Sequence, residues 1–290
     1  MKYIVLDIGG TFIKHAVMDE NFVEELAGET PTKYDPEEFL AQLVEVIKSY
    51  GEGYGGVAIS MAGFINPETG ENTDYGCSER FTKYNLKEKL AELTGYRISV
   101  ENDSNCAALA ESVIGAGKGR KTICAMTVGT GIGGAIITDG KLFRGKSFKA
   151  GEYGFALTGY ERDEEGKFVP RYAKATSVLS KRCTEALGRE VNGRAVMEML
   201  DSEPTVKAIY DEWLSDIAFC IGNVCVALDP EVFLVGGGIS GSKRFMADLK
   251  AKVYEMFEKL EEYTEILPCS LGNNAGKAGA LIIFLENYGK

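Results

Sequence analysis

The chain has 290 residues, 45% of them hydrophobic and 26% charged, with 43 acidic against 32 basic side chains and a net charge of −11. This composition is typical of a globular protein and excludes a disordered or collagen-like chain. The negative charge repels a phosphate backbone, so we expect no nucleic-acid partner. The length favours two domains.

The sequence contains no apolar run of the roughly 20 residues that a membrane span needs, and it opens on a strand-like segment rather than a signal peptide. We therefore expect a cytoplasmic protein with no membrane partner. His15 is the only histidine, which leaves little for a zinc site or a histidine-based catalytic triad. We expect reduced cysteines, because they are scattered and odd in number. They are Cys77, Cys106, Cys124, Cys183, Cys220, Cys225 and Cys269.

The first part of the chain predicts a β-hairpin followed by alternating helices and strands. Residues 3–6 and 13–18 are strand-like and flank the turn Asp7-Ile8-Gly9-Gly10. Asp35-Pro36 is a helix-start signal ahead of apolar residues at helical spacing. The pattern then predicts a strand at 57–60, a helix at 85–93, a strand at 98–100 and a helix at 104–114.

A glycine-rich segment at residues 115–119 predicts a domain boundary, because ordering several glycines in a helix or strand has a high entropic cost. Beyond it, a strand at 123–128, a glycine turn at 129–134 and a strand at 135–138, which turns at Asp139-Gly140, repeat the opening hairpin. The repeat indicates a duplicated α/β domain. We predict an N-terminal domain of residues 1–116 plus about 277–290, and a larger C-terminal domain of residues 117–276.

The second half predicts helices at 177–187, 193–200, 205–228 and 244–260, and a final apolar helix at 278–285 that returns to the first domain. A strand at 232–235 ends in Gly236-Gly237-Gly238, and a short strand is expected near Ile266. Three glycine turns thus follow strands. This favours a phosphate site, because glycine lets backbone N–H groups approach phosphate oxygens.

Two familiar nucleotide motifs are excluded by their context. Gly129-Thr130-Gly131-Ile132-Gly133-Gly134 has the spacing of a dinucleotide-binding turn, but a strand follows it where that motif needs a helix. The segment at residues 236–243 misses the register of a P-loop.

Several ordered motifs together resemble the ROK family of bacterial sugar kinases, within the fold shared by actin and the sugar kinases. They are Asp7-Ile8-Gly9-Gly10-Thr11, Glu101-Asn102-Asp103-Ser104-Asn105-Cys106-Ala107-Ala108, Thr127-Val128-Gly129-Thr130-Gly131-Ile132-Gly133-Gly134, Gly151-Glu152-Tyr153-Gly154, and Leu228-Asp229-Pro230-Glu231-Val232 leading into Gly236-Gly237-Gly238. The resemblance covers nearly the whole chain. It implies two actin-like, ribonuclease H-like α/β domains with ATP in the cleft between them, the sugar on the N-terminal side and the nucleotide on the C-terminal side. It also implies Mg²⁺ and a homodimer with contacts on the C-terminal domain.

The resemblance implies that Asp103, at the end of a strand where α/β sheets collect ligands, is the general base for the sugar hydroxyl. From the residues alone, an aspartate that only caps the next helix is the alternative. Asp7 is implied to bind Mg²⁺ through water, with a simple turn aspartate as its alternative. The other implied nucleotide contacts are Gly9, Gly10, Thr11, Lys14, Thr130 and Gly131 at the phosphates, and Gly237 and Gly238 on the adenosine side. The implied sugar contacts are Gly63, Asn102, Asp103 and Glu152.

The sequence departs from the family at one place. Phe155 stands where the family has a histidine, and residues 159–182 lack the zinc-binding cysteines. We therefore expect no zinc and a loop held by packing, with Phe155 in the space of the histidine and with Tyr160, Phe168 and Tyr172 nearby.

The expected activity is ATP-dependent phosphorylation of a primary hydroxyl on a glucose-like hexose or a β-glucoside. Aromatic side chains at Phe155 and its neighbours would suit a substrate with an extra ring. The alternatives are a kinase for fructose, mannose or N-acetylmannosamine, a non-catalytic sugar-binding sensor, and an NAD-dependent oxidoreductase. A ROK repressor is disfavoured by the acidity of the chain and by its opening on the first kinase strand, without a helix-turn-helix ahead of it.

Overall fold

The computed structural model describes residues 1–73 and 85–289, so Cys77 lies outside the described residues. The chain divides into two compact units. The first unit comprises Met1–Glu111, Arg144–Ala150 and Asn273–Lys290, and the second comprises Ser112–Phe143 and Gly151–Gly272. The assignment of one domain to the sugar and the other to the nucleotide stays a prediction.

The first unit contains the strands β1 (Lys2–Ile8), β2 (Phe12–Asp19), β3 (Glu24–Pro31), β4 (Val57–Met61) and β5 (Ile98–Asn102). In the described chain they form a five-stranded sheet in the order β3-β2-β1-β4-β5. β1 pairs antiparallel with β2 and parallel with β4, and β4 pairs parallel with β5. The predicted opening hairpin is confirmed. β3 was not predicted, because its side chains are mostly exposed and show no apolar alternation.

The helices of this part are α1 (Pro36–Ser49), α2 (Leu86–Thr94) and α3 (Asp103–Ile114). α1 begins where the sequence predicts, because the side chain of Asp35 accepts hydrogen bonds from the backbone N–H groups of Glu37 and Glu38. The apolar sides of α1 and α2 cover the sheet. The core of the unit includes Ile4, Leu6, Leu43, Ile59, Leu90 and Val100.

The second unit contains β6 (Ile123–Val128), β7 (Ile132–Thr138), β8 (Lys141–Leu142), β9 (Leu157–Arg162), β10 (Phe168–Tyr172), β11 (Val232–Gly236) and β12 (Glu265–Pro268). Its main sheet, as far as the chain is described, has the order β12-β11-β6-β7-β8. β6 pairs antiparallel with β7 and parallel with β11, as β1 pairs with β2 and β4. The repeated pattern supports the predicted duplication.

The turns of the second unit differ from the prediction in one respect. β7 begins at Ile132, so the glycine turn spans only residues 129–131 rather than 129–134. Gly134 lies inside the strand, where an added Cβ would be 2.4 Å from the ring of Tyr153. The predicted Asp139-Gly140 hairpin is confirmed, and both residues have positive φ, at 51° and 73°.

The helices of the second unit are α4 (Thr176–Leu187), α5 (Gly193–Met199), α6 (Pro204–Leu228) and α7 (Lys243–Met256). They match the predicted helices, except that α7 ends at Met256 rather than near Leu260. The helix ends there because Phe257 adopts an extended conformation, with φ of −124° and ψ of 94°. Lys259 then adopts a left-handed conformation with φ of 65°.

The segment in which the sequence shows no cysteine begins with the antiparallel hairpin β9–β10. The guanidinium of Arg171 joins this hairpin to α6 through Asp216 Oδ1 at 2.6 Å. Phe155 is 69% exposed, so the expectation that it fills a packed space is wrong. Tyr160 and Phe168 do lie together, with ring centroids 4.7 Å apart. An ion pair and strand pairing, rather than packing of Phe155, therefore hold this segment.

The last helix, α8 (Ala275–Tyr288), packs against β1, β4 and β5 in the first unit. Gly279 permits a close approach to α3, since an added Cβ would lie 1.8 Å from the carbonyl oxygen of Cys106. The described cysteines are all free, and all but Cys269 are buried. Within the described residues, no helix is long and apolar enough to cross a membrane.

Candidate active site

The carboxyl ends of β1, β4 and β5 meet at one edge of the first sheet and bring acidic groups together. The strand register places Asp7 beside Ser60, and Ser60 beside Glu101. Ser60 Oγ donates a hydrogen bond of 2.8 Å to Asp7 Oδ1, which fixes that carboxylate. Lys14, on β2, lies opposite Asp7 in the antiparallel register. Asp103 follows β5 directly and is the first residue of α3.

The carboxylate of Asp103 has a backbone hydrogen bond and a nearby negative charge. Its Oδ1 accepts a hydrogen bond of 2.7 Å from the backbone N–H of Ser104. Burial raises the pKa of Asp103 above its usual range, and the negative charge of Asp7 raises this pKa further. A raised pKa strengthens a carboxylate as a proton acceptor.

The helix cap at this position is made by Asn102. Asn102 Oδ1 accepts a hydrogen bond of 2.9 Å from the backbone N–H of Asn105, which is the usual N-cap contact. The capping alternative therefore does not account for Asp103. Asn102 Nδ2 donates to the carbonyl of Gly63 at 2.9 Å, so two of the predicted sugar contacts touch each other. Gly63 has φ of 117°, and a Cβ there would lie 2.2 Å from Asn72 Nδ2.

The first glycine turn joins β1 to β2 and leaves Gly9, Gly10 and Thr11 exposed. Two side chains outside the turn hold it in shape. The buried Thr32 donates its Oγ1 hydrogen to the Gly9 carbonyl at 2.9 Å, and its backbone N–H bonds the Thr11 carbonyl at 2.9 Å. The hydroxyl of Tyr34 donates to the Gly10 carbonyl at 3.3 Å. The carbonyls are thus tied back, as a phosphate-binding turn requires.

In the second unit, the second and third glycine turns open on one cavity of about 840 Å³. Thr130 and Gly238, both predicted, line it, while Gly131 and Gly237 lie in the same turns. Gly237 must be a glycine, because its φ is 90° and a Cβ would lie 2.2 Å from the carbonyl oxygen of Val128. The cavity has the size of a small-molecule site.

The sequence did not reveal the side chains that complete this cavity. They include Ser177, Arg194, Ser242 and Arg244, from the starts of α4, α5 and α7, and Glu198 from the end of α5. Ser177 Oγ donates to the Thr130 carbonyl at 2.9 Å and so fixes the second turn. Helix starts were predictable, but which side chains face a cavity depends on how the helices pack.

Glu152, the remaining predicted sugar contact, belongs to the second unit, whereas Gly63, Asn102 and Asp103 belong to the first. It precedes the short helix Tyr153–Phe155, and its carbonyl accepts the Phe155 N–H at 3.1 Å. Gly151 before it has φ of 89°, and a Cβ would lie 2.9 Å from the backbone of Ala135. Glu152 is therefore held against β7 by its backbone.

The groups at the strand edge fit a magnesium ion. Among the described residues, no three His, Cys, Asp or Glu side chains form a metal-binding cluster. Mg²⁺ does not need one, because it keeps several waters and binds through one or two carboxylates together with substrate phosphates. Asp7 provides such an oxygen donor, and its carboxylate is oriented by Ser60.

The two sheets, each opening with a glycine hairpin and continuing in parallel strands, define an actin-like ATPase fold. A family model described as "ROK family" matches residues 3–287, and the chain belongs to that family. It is 33% identical over 299 residues to the β-glucoside kinase of Listeria monocytogenes, covering 99% of this chain and 98% of that one. Among solved structures, the Lmo2764 protein of Listeria monocytogenes has a TM-score of 0.89 at 33% identity over 99% of both chains. The ROK hexokinase of Thermus thermophilus has a TM-score of 0.81 at 25% identity, again over 99% of both.

Proposed function

We propose that this protein is an ATP- and Mg²⁺-dependent kinase that phosphorylates a primary hydroxyl of a glucose-like hexose or a β-glucoside. The observation that carries this proposal is Asp103, a carboxylate with a raised pKa beside the charge of Asp7 at the carboxyl edge of parallel strands. Such an arrangement costs stability. A protein that only bound sugar would not need it.

In the proposed reaction, Asp103 accepts the proton of the sugar hydroxyl while the hydroxyl oxygen attacks the γ-phosphorus of ATP and ADP leaves. Phosphoryl transfer needs positioning and charge stabilisation more than covalent help from the protein. Asn102 and Gly63, which are hydrogen-bonded to each other, would orient the sugar beside Asp103. Asp7 would hold Mg²⁺ through water, and the bound ion would supply neutralisation of the phosphate charge.

For the nucleotide, the 840 Å³ cavity supports a binding site in the second unit. Thr130 and Gly131 would meet the phosphates with backbone N–H groups, and Gly237 and Gly238 would border the adenosine. Gly9, Gly10, Thr11 and Lys14 would contact phosphates from the first unit.

The β-glucoside part of the proposal is supported by two observations. One is the 33% identity to a protein named β-glucoside kinase. The other is the exposure of aromatic rings close to Glu152 in the sequence, with Phe155 at 69%, Tyr160 at 65% and Phe168 at 55%. Aromatic faces stack on the apolar faces of sugar rings, so these side chains would suit a second ring.

The relatedness to ROK kinases also supports a cytoplasmic homodimer with contacts in the second unit. Light scattering from the purified protein tests this part, and a monomer mass at assay concentrations would reject it.

The central test is a coupled ADP-release assay with Mg-ATP and glucose, mannose, fructose, N-acetylmannosamine or cellobiose, run on wild type and Asp103→Asn. We expect turnover of glucose or cellobiose by wild type and a loss of about 10²–10⁴-fold in the variant, the usual size for a general base. A folded wild type that binds sugar in calorimetry but turns over none would identify a sensor instead. Turnover of unsubstituted hexoses but not of cellobiose would contradict the proposed β-glucoside substrate and leave the proposed hexose kinase activity in place.

A further inference from the structure

The residue before the Asn102-Asp103 pair is a buried acid. Glu101 is only 1% exposed, at the end of β5. A buried carboxylate is costly unless every oxygen is paired and an opposite charge is near. Both carboxylate oxygens of Glu101 have partners, and the two oxygens bind different parts of the chain.

Glu101 Oε1 faces the turn that carries Asp103. It accepts the backbone N–H of Asn102 at 3.0 Å and the side-chain amide of Asn105 at 2.9 Å. Asn105 in turn gives its backbone N–H to Asn102 Oδ1. The residue on the N-terminal side of Asp103 and the first turn of α3 are therefore both tied to one carboxylate.

Glu101 Oε2 forms an ion pair with Arg144, which is 43 residues away in the sequence. Arg144 donates to it from Nε and from a terminal nitrogen, each at 2.7 Å. Arg144 is the first residue of the segment Arg144–Ala150, which belongs to the first unit although its sequence neighbours on both sides belong to the second. Lys149, in the same segment, lies over the ring of Phe64 at 4.7 Å, next to Gly63.

We propose that the Glu101–Arg144 ion pair positions Asn102 and Asp103 for sugar phosphorylation, so that Arg144 and Glu101 are positioning residues of the site. The proposal rests on the kinase activity proposed above. Arg144 holds Glu101, Glu101 holds Asn102 and Asn105, and these set the turn from which the Asp103 carboxylate projects. Displacement of a reacting group by about 1 Å can cost about 10²-fold in rate, which gives a distant ion pair a kinetic effect.

The second unit provides a matched control in the ion pair of Arg171 with Asp216. Its N···O distance is 2.6 Å, and its side chains are 28% and 8% exposed, against 27% and 1% for Arg144 and Glu101. Arg171 is on the β9–β10 hairpin, whose exposed rings are proposed to suit a second sugar ring, so Arg171→Gln serves as the control with glucose, which has no second ring. In that assay it removes a similarly buried charge pair of the second unit. It measures what the loss of such a pair does through stability alone.

The experiment measures kcat, the KM for sugar and the KM for ATP, together with the thermal unfolding midpoint, using glucose and cellobiose. The variants are Arg144→Gln, Arg144→Lys, Glu101→Gln, the double variant Glu101→Gln/Arg144→Gln, and Arg171→Gln. We expect Arg144→Gln to lower kcat/KM for the sugar at least about tenfold with the KM for ATP unchanged, and Arg144→Lys to recover part of the loss because it keeps the charge. The double variant should be no worse than the worse single variant, since both remove one interaction. Arg171→Gln should stay within about twofold of wild type in kcat, the KM for glucose and the KM for ATP.

Each other outcome has a defined meaning. The positioning role is overturned if Arg144→Gln changes the kinetics with glucose no more than Arg171→Gln does, or if the two single losses multiply in the double variant. Where Arg144→Gln does not fold, Glu101→Gln decides, because it keeps the Oε1 acceptor and the side-chain shape while losing the charge. A wild type without turnover on any sugar refutes the proposed kinase, and the positioning proposal with it. An active wild type with insensitive variants refutes the positioning alone.

Discussion

Ser60 and Asp7 face each other on adjacent parallel strands, and the Ser60 hydroxyl donates a 2.8 Å hydrogen bond to the Asp7 carboxylate. This contact leaves the second carboxylate oxygen of Asp7 to other partners and fixes the direction in which it points. The start of α8 packs against this contact, since an added Cβ on Gly276 would lie 2.8 Å from Asp7 Oδ1 and 3.1 Å from Ser60 Oγ. The proposed magnesium ligand is thus enclosed by a strand and a helix start.

Removal of the Ser60 hydroxyl should therefore weaken the binding of Mg²⁺ at Asp7. We expect Ser60→Ala to raise the Mg²⁺ concentration for half-maximal activity about tenfold, because a hydrogen bond to a charged group contributes about 1.5 kcal/mol. The control is Ser99→Ala, a change at a buried serine on β5 whose hydroxyl has no hydrogen-bond partner among the described residues. A magnesium titration of both variants tests this, and equal curves for the two would contradict the role of Ser60.

Asp103 should lower stability at neutral pH. Its pKa is raised in the folded protein, so between the unfolded and the folded pKa the folded state binds more protons, and the free energy of unfolding falls as pH rises. Asp103→Asn keeps the acceptor for the Ser104 N–H and removes the charge. We expect it to raise the free energy of unfolding at pH 7 by about 1 kcal/mol, as is common when an active-site group is neutralised. The gain should vanish below about pH 4, where an unfolded aspartate is protonated as well.

Denaturant unfolding at several pH values measures this gain, with Asp19→Asn as a control of opposite sign. The backbone N–H of Val23 lowers the pKa of Asp19, so the charged form of Asp19 stabilises the fold above the unfolded pKa and this stability is lost as pH falls. Asp19→Asn should therefore be less stable than wild type at pH 7. A loss of stability in Asp103→Asn at neutral pH would contradict the raised pKa.

Thr32 should act on the nucleotide through the first glycine turn. Thr32→Val keeps the side-chain shape and removes the hydrogen bond to the Gly9 carbonyl. We expect the KM for ATP to rise about fivefold, the effect of one neutral hydrogen bond of about 1 kcal/mol, with little change in the KM for sugar. Thr158→Val is the matched change at a buried threonine whose hydroxyl has no hydrogen-bond partner in the described part of the chain, and it should leave both KM values unchanged. An equal rise in the KM for ATP in both variants would indicate general destabilisation of the fold and contradict the role of Thr32.

Phe155 should distinguish a glycoside from a free hexose. If its exposed ring stacks on a second sugar ring, Phe155→Ala should raise the KM for cellobiose about two- to tenfold and leave the KM for glucose unchanged. Tyr263→Ala, at a ring that is 64% exposed elsewhere on the second unit, is the control. Equal changes in the KM for cellobiose and the KM for glucose would show that Phe155 does not contact the second sugar ring.

Local sequence signals determined much of this protein. The start of α1 followed from Asp35, because a helix cap needs only residues adjacent in the chain. The glycine hairpins, and the aspartate directly after β5, were visible because strand ends and tight turns have local signatures. The repeat of the opening hairpin indicated the duplicated fold.

Tertiary structure decided what depends on residues distant in sequence. The exposed strand β3 and the hairpin β9–β10 have little apolar pattern, and their pairing partners rather than their own side chains define them. Sequence alone could not show that Asn102 rather than Asp103 makes the capping contact, nor that Arg144 reaches Glu101, 43 residues away. Caps and turns are set by a few neighbouring dihedral angles, whereas a buried ion pair or a cavity wall exists only after the strands and helices have packed.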